Sequence, residues 1–425
     1  MTMVEKIEIR RERRTRSTPT TAQARLLLLP GNPGVVSFYS AFARALLAPC
    51  RSALLHSVTL LGYVGHVTNK AVAAPNTTTL TLPEQTAAAR ANVVRWIDAQ
   101  PLESPLVIAG HSIGAHIACS IYTSLEPERR ERIKAVALIF PAMEELATTQ
   151  GGVQVAPFLA SEYRVSIAVA LARAYAALPR PLRRFLARKY LGRDGEQLQR
   201  GGGCVEAVGT GARVFDANAG SELTFADAVA DAINATTVRS AISMARSEMA
   251  EVTSFDASVL HIGGEATIVS LFTNGDPWCP PRAACSLRTA CAAISPNCCK
   301  VRELGRTAAA EGKTTAQHAF VRKAEHVDVV ADELLSLLAR AGLEVGCREV
   351  GLHVHGAARL GGAASPAAAD ELGVTLADAT PHEDAAATNE AAAAAASAKD
   401  DPTASVLAAS AVVELARSLV ITVRV

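Results

Sequence analysis

The chain has 425 residues, of which 49% are hydrophobic, so it can bury a large core and, by length alone, form two or three domains. Its formal net charge of +1 argues against a nucleic-acid binder held by bulk electrostatics. The nine cysteines follow no metal-ligand spacing, no secretory signal is evident, and no apolar run reaches the ~18 residues of a spanning helix. We expect an intracellular protein that needs no cofactor and no metal and does not cross a membrane.

The first 24 residues read as a basic N-terminal extension. Apolar and charged residues alternate at its start, and five arginines then cluster over residues 10–16. We expect a short edge strand followed by a solvated linker. There are two alternatives. One is a mitochondrial-type presequence, although the three glutamates of this stretch argue against it; the other is attachment to anionic lipid.

Strand and helix patterns alternate from residue 25 to residue 140. Short apolar runs predict strands at 25–29, 57–61, 106–109 and 135–140, and apolar spacing predicts helices at 36–47, at 84–99 and directly after the third of these strands. Such alternation predicts a mostly parallel sheet covered by helices on both faces.

The third strand runs into Gly110-His111-Ser112-Ile113-Gly114, and an alanine-rich helical pattern follows. This strand–turn–helix context is that of a nucleophile elbow, which predicts Ser112 as the nucleophile. The turn requires small residues two positions before and after the serine, and Gly110 and Gly114 meet that demand. The backbone N–H of Ile113 would face a developing oxyanion.

The alternation breaks between about 142 and 262, which predicts a cap insertion over the carboxyl ends of the strands. Residues 164–192 are rich in small, apolar and basic side chains. Two interpretations fit them equally: an amphipathic segment that lies in a lipid interface, or a helical cap packed on the rest of the protein with its arginines solvated.

The strand pattern resumes at 268–272, and residues 331–343 have the apolar spacing of a closing helix. Between them, residues 281–312 carry Cys285, Cys291, Cys298 and Cys299 without a zinc or iron–sulfur spacing, so we interpret this stretch as a surface insertion.

Residues 343–425 form an alanine-rich, low-complexity tail, predicted to be disordered or weakly helical. Its last stretch, 406–425, is apolar enough to dock on the protein or to contact lipid. His353 and His355 lie beside this tail, and we assign no metal to them.

A serine nucleophile needs a histidine base that is oriented by a carboxylate, and in this fold the order along the chain is serine, acid, histidine. Asp276 follows a late strand in a turn rich in glycine and proline, whereas its rival Asp256 follows no strand. His318 and His326 are the two candidate bases. His111 is excluded because it lies beside Ser112 on the wrong side of the turn.

The second oxyanion donor is expected in the loop after the first buried strand. Pro33 has no N–H, so Asn32 is the better donor in Gly31-Asn32-Pro33-Gly34.

Together these residues resemble the lipid droplet-associated hydrolase family of the α/β-hydrolase fold over about residues 25–342. The resemblance rests on the following segments: Leu29-Pro30-Gly31-Asn32-Pro33-Gly34, Phe38-Tyr39, His66, Gly110-His111-Ser112-Ile113-Gly114, Phe140-Pro141, Asp276-Pro277-Trp278-Cys279-Pro280 and His318-Ala319-Phe320. It implies a triad of Ser112, Asp276 and His318, which favours His318 over His326 as the base.

The resemblance also implies esterase chemistry on neutral lipid esters, such as sterol esters or acylglycerols, and association with a lipid droplet or membrane surface through the middle insertion. The endoplasmic reticulum and the cytoplasm are further expected locations. A droplet-surface protein with little turnover that binds lipid or a partner, and a hydrolase or acyltransferase for small acyl esters, are the alternative functions. The chain departs from the family in its longer, cysteine-rich segment between Asp276 and His318, in its cap, and in its tail.

Overall fold

The computed structural model describes residues 4–10, 23–48, 51, 54–68, 79–191, 224–255, 262, 265–295, 298–305 and 316–343. In this part of the chain one sheet contains seven strands in the order β1-β3-β2-β4-β5-β6-β7. β2 to β7 run parallel to their neighbours, and β1 pairs antiparallel with β3 at one edge. The strands are β1 Lys6–Arg10, β2 Ala24–Leu29, β3 Leu55–Leu61, β4 Leu106–His111, β5 Ile133–Ile139, β6 Thr267–Thr273 and β7 Cys299–Leu304.

Helices cover both faces of the sheet. They are α1 Ser40–Leu47, α2 Leu82–Asp98, α3 Ile113–Thr123, α4 Pro127–Arg130, α5 Gln150–Leu159, α6 Glu162–Ala177, α7 Arg180–Leu191, α8 Phe225–Ala232, α9 Ala235–Glu251, α10 Pro281–Ala292 and α11 Ala324–Leu338. Short 3-10 turns precede α1 at Val36–Tyr39 and α11 at Phe320–Arg322.

The central strands are apolar along their whole length because both of their faces are buried. In β2, Leu26 and Leu28 pack with α1 and α11, whereas Leu27 and Leu29 pack with α2, α3 and α10 on the opposite face. This two-sided burial explains why the strand reads as an unbroken apolar run rather than an alternating one.

The cap insertion lies between β5 and β6 and is helical, from α5 to α9. The α/β-hydrolase fold with a helical cap, expected from the sequence, is therefore confirmed. We refer to α5–α9 as the cap, and to the sheet with the remaining helices as the body.

The structure corrects one detail of the second interpretation of residues 164–192, in which a helical cap packs on the rest of the protein with its arginines solvated. In α7, Ala187 and Leu191 pack into the core of the body, so one side of this helix is docked. Its arginines are not simply solvated, because they form ion pairs with Asp227 and Asp231 of α8. The other side of α7 leaves Phe185 60% exposed.

No single helix in the described ranges is long and apolar enough to cross a membrane. By length and composition alone, the pair α5 and α6 passes such a test together, and the two helices are bent by 86° at their junction.

The cysteine-rich stretch is not a surface insertion, contrary to the sequence-based interpretation. Its first part forms α10 and its second part forms β7, the last strand of the sheet. Cys291 and Cys298 are buried in the core on one face of the sheet. Cysteine serves here as a small apolar residue, so the stretch belongs to the body.

The short edge strand expected near the start of the chain is confirmed as β1, Lys6–Arg10, which pairs with β3 at one edge of the sheet. One element boundary differs from the sequence-based prediction, because the closing helix begins at Ala324 rather than at residue 331. The tail from residue 344 onwards, with His353, His355 and the stretch 406–425, lies outside the described residues, as does Asp256. The proposed domain boundaries therefore stay predictions.

Candidate active site

Ser112 occupies the turn between β4 and α3 with φ 53° and ψ −124°, a left-handed conformation that is strained for a residue with a side chain. The turn leaves no room for side chains on either flank. A Cβ atom on Gly110 would lie 2.2 Å from the carbonyl oxygen of Gly114, and one on Gly114 would lie 2.4 Å from that of Leu29. Both glycines are therefore required by backbone contacts.

The structure brings Ser112, His318 and Asp276 together from three distant parts of the chain. The Ser112 hydroxyl lies 2.9 Å from Nε2 of His318, and Nδ1 of His318 lies 2.8 Å from Oδ2 of Asp276. A carboxylate accepts, so Nδ1 carries the proton and Nε2 is left to accept from the serine. This is the protonation state that a general base requires.

Asp276 is fixed by its own backbone turn. Its side chain is fully buried, and its Oδ1 accepts hydrogen bonds from the backbone N–H groups of Trp278 and Cys279 at 2.8 and 3.0 Å. The second oxygen is thereby aimed at His318. The Asp-Pro-Trp-Cys segment that supported the family resemblance thus has a physical role, which is to orient the carboxylate.

His326, the alternative base, lies in α11 with its side chain buried, and its Nε2 is 3.8 Å from a carboxylate oxygen of Glu325. His318 precedes that helix, in the loop beside the serine. The geometry thus favours His318.

His111 has a role that the sequence did not suggest. Its Nε2–H donates to the backbone carbonyl of His318 at 3.0 Å, and its Nδ1 accepts from the hydroxyl of Tyr39 at 2.6 Å. Burial lowers the pKa of His111 well below its usual value, so the ring is neutral and serves as a structural bridge to the His318 loop.

The loop from Pro30 to Gly34 follows β2 and lines the site beside Ser112. The body holds it through three buried side chains. Tyr63 donates to the carbonyl of Pro30 at 2.7 Å, Tyr39 accepts from the N–H of Gly31 at 2.9 Å, and Nδ1 of His66 donates to the carbonyl of Pro33 at 2.5 Å. Burial lowers the pKa of His66 to about 4, which keeps this ring neutral as well.

The fourth contact of this loop comes from the cap. The side-chain amide of Asn32 donates to the backbone carbonyl of Ala241 and to Oε1 of Glu248, both at 3.0 Å and both in α9. Glu248 was missed at the sequence level, because a glutamate in the last turns of an amphipathic helix carries no signal that distinguishes it from a solvated one.

Ser112, His318 and Asn32 open into a cavity of about 300 Å³ between body and cap. Its walls are mostly apolar, a composition typical of small-molecule sites. The apolar side chains include Phe38, Val155, Phe158, Leu159, Leu171, Phe225, Val238, Ile242, Met249 and Trp278. Within the described ranges, no group of three or more His, Cys, Asp or Glu side chains is arranged to hold a metal ion.

Comparison with known proteins identifies relatives at the level of a family. A sequence model of the family described as lipid-droplet associated hydrolase matches residues 22–321. No curated protein matches the chain.

Several solved structures are similar at low identity. An enol-lactonase from Burkholderia xenovorans LB400 is 15% identical, with a TM-score of 0.45 over 79% of this chain and 97% of its own. An alpha/beta hydrolase enzyme from a Medee basin deep-sea metagenome library is 12% identical, with a TM-score of 0.45 over 83% and 97% of the two chains. A Paleococcus ferrophilus monoacylglycerol lipase is 13% identical, with a TM-score of 0.38 over 80% and 99%. At this level of similarity the three structures carry no inference about the substrate.

Proposed function

Because the chain belongs to the lipid-droplet associated hydrolase family, we propose that it is a serine esterase that hydrolyses neutral lipid esters at a droplet or membrane surface. One observation carries this proposal: the hydrogen-bonded series from Asp276 through His318 to Ser112 ends in a cavity with apolar walls. The family match supports hydrolase chemistry.

In the acylation step, Oγ of Ser112 attacks the ester carbonyl carbon while Nε2 of His318 takes the serine proton. Asp276 stabilises the imidazolium that forms. The tetrahedral intermediate then collapses, the bond to the leaving alcohol breaks, and His318 gives its proton to that alcohol. The strained turn at Ser112 favours this step because it holds the hydroxyl in the orientation that His318 requires.

The oxyanion would be bound by the backbone N–H groups of Ile113 and Asn32. Ile113 is the first residue of α3, where backbone N–H groups have no partner within the helix. Asn32 lines the cavity together with Ser112. Water then attacks the acyl-enzyme with His318 again as base, which releases the acid and regenerates Ser112.

The apolar walls support an ester of a lipid as the substrate. Sterol esters and acylglycerols both present a neutral ester between apolar groups, and transfer of those groups from water into the cavity gains about 25 cal/mol per Å² of apolar surface.

Surface attachment would use the exposed side chains of the cap. Leu182 and Phe185 of α7 are 40% and 60% exposed, and they lie among the arginines of that helix. Large apolar side chains beside cations suit the interface of a phospholipid layer. Leu102, 79% exposed in the body, serves as a matched control because it lies outside the cap.

Labelling with a fluorophosphonate probe tests the catalytic part of the proposal. We expect the wild-type protein to be labelled, Ser112→Ala to be unlabelled, and His318→Ala to lose most of its labelling. His326→Ala is the control and should label like wild type when its thermal unfolding shows that it is folded. A folded wild-type protein that stays unlabelled would exclude an activated serine and favour the binding-protein alternative.

Flotation with triolein droplets coated by phosphatidylcholine tests the surface part. We expect wild type and Leu102→Ser to float with the droplets and the double variant Leu182→Ser, Phe185→Ser to remain in solution. Equal flotation of all three proteins would contradict the role of α7.

A further inference from the structure

Glu248 is a carboxyl group buried inside the cavity of the candidate active site. It belongs to α9 of the cap, is 6% exposed, and lines the cavity together with Ser112 and His318. The mechanism proposed above does not use it. A carboxyl group in this position costs free energy unless something in the site requires it, since burial removes it from water.

The contact of Glu248 is with the loop that carries the proposed oxyanion donor. The Asn32 amide has two N–H bonds to donate, and both go to α9, one to Glu248 and one to the carbonyl of Ala241. The side-chain amide of Asn32 is thereby held by the cap. Because the backbone N–H of the same residue is the proposed donor to the oxyanion, this contact adds a restraint from the cap to the hydrogen bonds by which the body holds the loop.

The surroundings of Glu248 favour its neutral form. Burial raises its pKa to about 8, and only the Asn32 hydrogen bond acts in the opposite direction. Among the described residues no cation pairs with Glu248. Of the body's titratable groups, Tyr63 interacts electrostatically with Glu248, and its own pKa is raised well above the usual value, chiefly by burial. The cavity that Glu248 lines also contains the titratable side chains of Tyr39, His111, Tyr190, His318 and Arg322.

A neutral acid suits the proposed chemistry, because its carbonyl oxygen still accepts from Asn32 while no charge opposes the developing oxyanion. A carboxylate in the same apolar cavity would repel that oxyanion, and the repulsion is strong where water is excluded.

We propose that Glu248 is a positioning residue: as a neutral acid it accepts a hydrogen bond from Asn32 and so links the loop at 30–34 to the cap. The catalytic site is then complete only when the cap is packed on the body. This inference rests on the esterase function proposed above. It predicts that ionisation of one cap residue lowers the catalytic rate without any change at Ser112, His318 or Asp276.

Two substitutions separate the parts of this proposal. Glu248→Gln keeps an acceptor oxygen for Asn32 but has no titrating proton, and Glu248→Leu removes the acceptor. Glu251→Gln is the matched control, because Glu251 lies in the same helix, exposed, with its carboxylate accepting from Ser247. For each protein we would measure kcat and KM on p-nitrophenyl butyrate, and the fluorophosphonate labelling rate, from pH 6 to pH 10.

For the wild type and Glu251→Gln, both rates should decline above about pH 8, where Glu248 ionises. Glu248→Gln should retain most of the rate at pH 7 and lack this alkaline decline. Glu248→Leu should lose about tenfold to a hundredfold in kcat, with a much smaller change in KM, because the oxyanion donor is misplaced. A Glu248→Gln variant that declines in the same way as wild type, or a Glu248→Leu variant with wild-type kcat, would overturn the proposal.

Thermal unfolding between pH 5 and pH 9 provides a readout that does not depend on catalysis. The unfolded chain releases the Glu248 proton near pH 4.5, whereas the folded chain keeps it to about pH 8. Wild type should therefore lose stability relative to Glu248→Gln across this interval as pH rises. A difference that does not vary with pH would overturn the neutral-acid assignment. A wild-type protein without labelling or activity would instead reject the esterase function.

Discussion

The body and the cap bury their side chains in different ways. Strands of the body carry large aliphatic side chains that are fully buried on both faces of the sheet, as Leu27 and Leu28 are. Helices α5, α6 and α9 of the cap share a small apolar cluster of six buried residues, two of which are Ala168 and Val169. The cap therefore gains less from burial than the body does, and its packing contributes less to the free energy of unfolding.

The polar contacts of the body are also more deeply buried than the ion pairs that join α7 and α8 in the cap. The body holds the loop at 30–34 with neutral, buried hydrogen bonds from Tyr39, Tyr63 and His66. In the cap, α7 and α8 are joined by ion pairs whose arginines are partly exposed. Buried neutral bonds fix one geometry, whereas exposed ion pairs are screened by salt and tolerate rearrangement. The proposed catalytic residues lie in the body, whereas the cap supplies part of the cavity wall.

The largest expected effect is at the turn that holds Ser112. Gly110→Ala places a Cβ atom against the backbone of Gly114, which cannot move without displacing β4 and α3. We expect a loss of more than about 4 kcal/mol in the free energy of unfolding, measured with urea.

The matched cap variant is Gly151→Ala. Its Cβ atom would lie 2.6 Å from the indole ring of Trp278, a side chain that can shift. The expected loss is about 1 kcal/mol. An equal loss for Gly110→Ala and Gly151→Ala would show that the body turn is no more rigid than the cap.

Truncation of isoleucine compares the two cores directly. Ile108 is fully buried in β4, and Ile242 is 5% exposed in α9. We expect Ile108→Ala to cost about 4 kcal/mol and Ile242→Ala about 2 kcal/mol, since the cap can collapse around the smaller side chain. Urea unfolding of both variants at the same pH measures the difference, and a larger loss for Ile242→Ala would reverse the comparison.

Acid should act on the body through His66. Its pKa is about 4 in the folded chain and near 6.5 when unfolded, so the unfolded chain binds the proton first as pH falls. Stability is then lost progressively from about pH 6.5 to about pH 4, by about 3 kcal/mol. His66→Asn should reduce this acid dependence in thermal unfolding. An unchanged dependence would mean that other groups cause the acid sensitivity.

Glu248 on the cap side should produce the opposite trend, with loss of stability towards alkaline pH.

The smallest effect is expected at the ion pairs of the cap. Asp227 of α8 lies 3.2 Å from Arg184 and 3.5 Å from Arg188. Asp227→Asn should cost less than about 1 kcal/mol at low salt and still less in 1 M NaCl, where screening has already weakened these pairs. A loss that is independent of salt would indicate that the capping hydrogen bonds of Asp227 with Thr224, rather than its charge, are what matter.

Local patterns determined the elements that position the site. Apolar runs located β2 to β6 to within about two residues, because central strands of a parallel sheet must be apolar on both faces. The spacing of Gly110, Ser112 and Gly114 located the tight turn, because backbone contacts exclude any side chain at its flanks. These features depend on residues that are close together along the chain, and they can therefore be predicted from a single sequence.

Only the tertiary structure decided the features that depend on distant neighbours. Residues 299–304 look like an insertion in sequence, and they become a strand because β6 offers an unpaired edge. His318 and His326 both satisfy the chain order, and the position of each relative to Ser112 separates them. Glu248 resembles any helical glutamate until the cap brings it to Asn32. Burial, pairing and charge at these positions are set by residues up to 216 positions away, and a local pattern contains no record of such contacts.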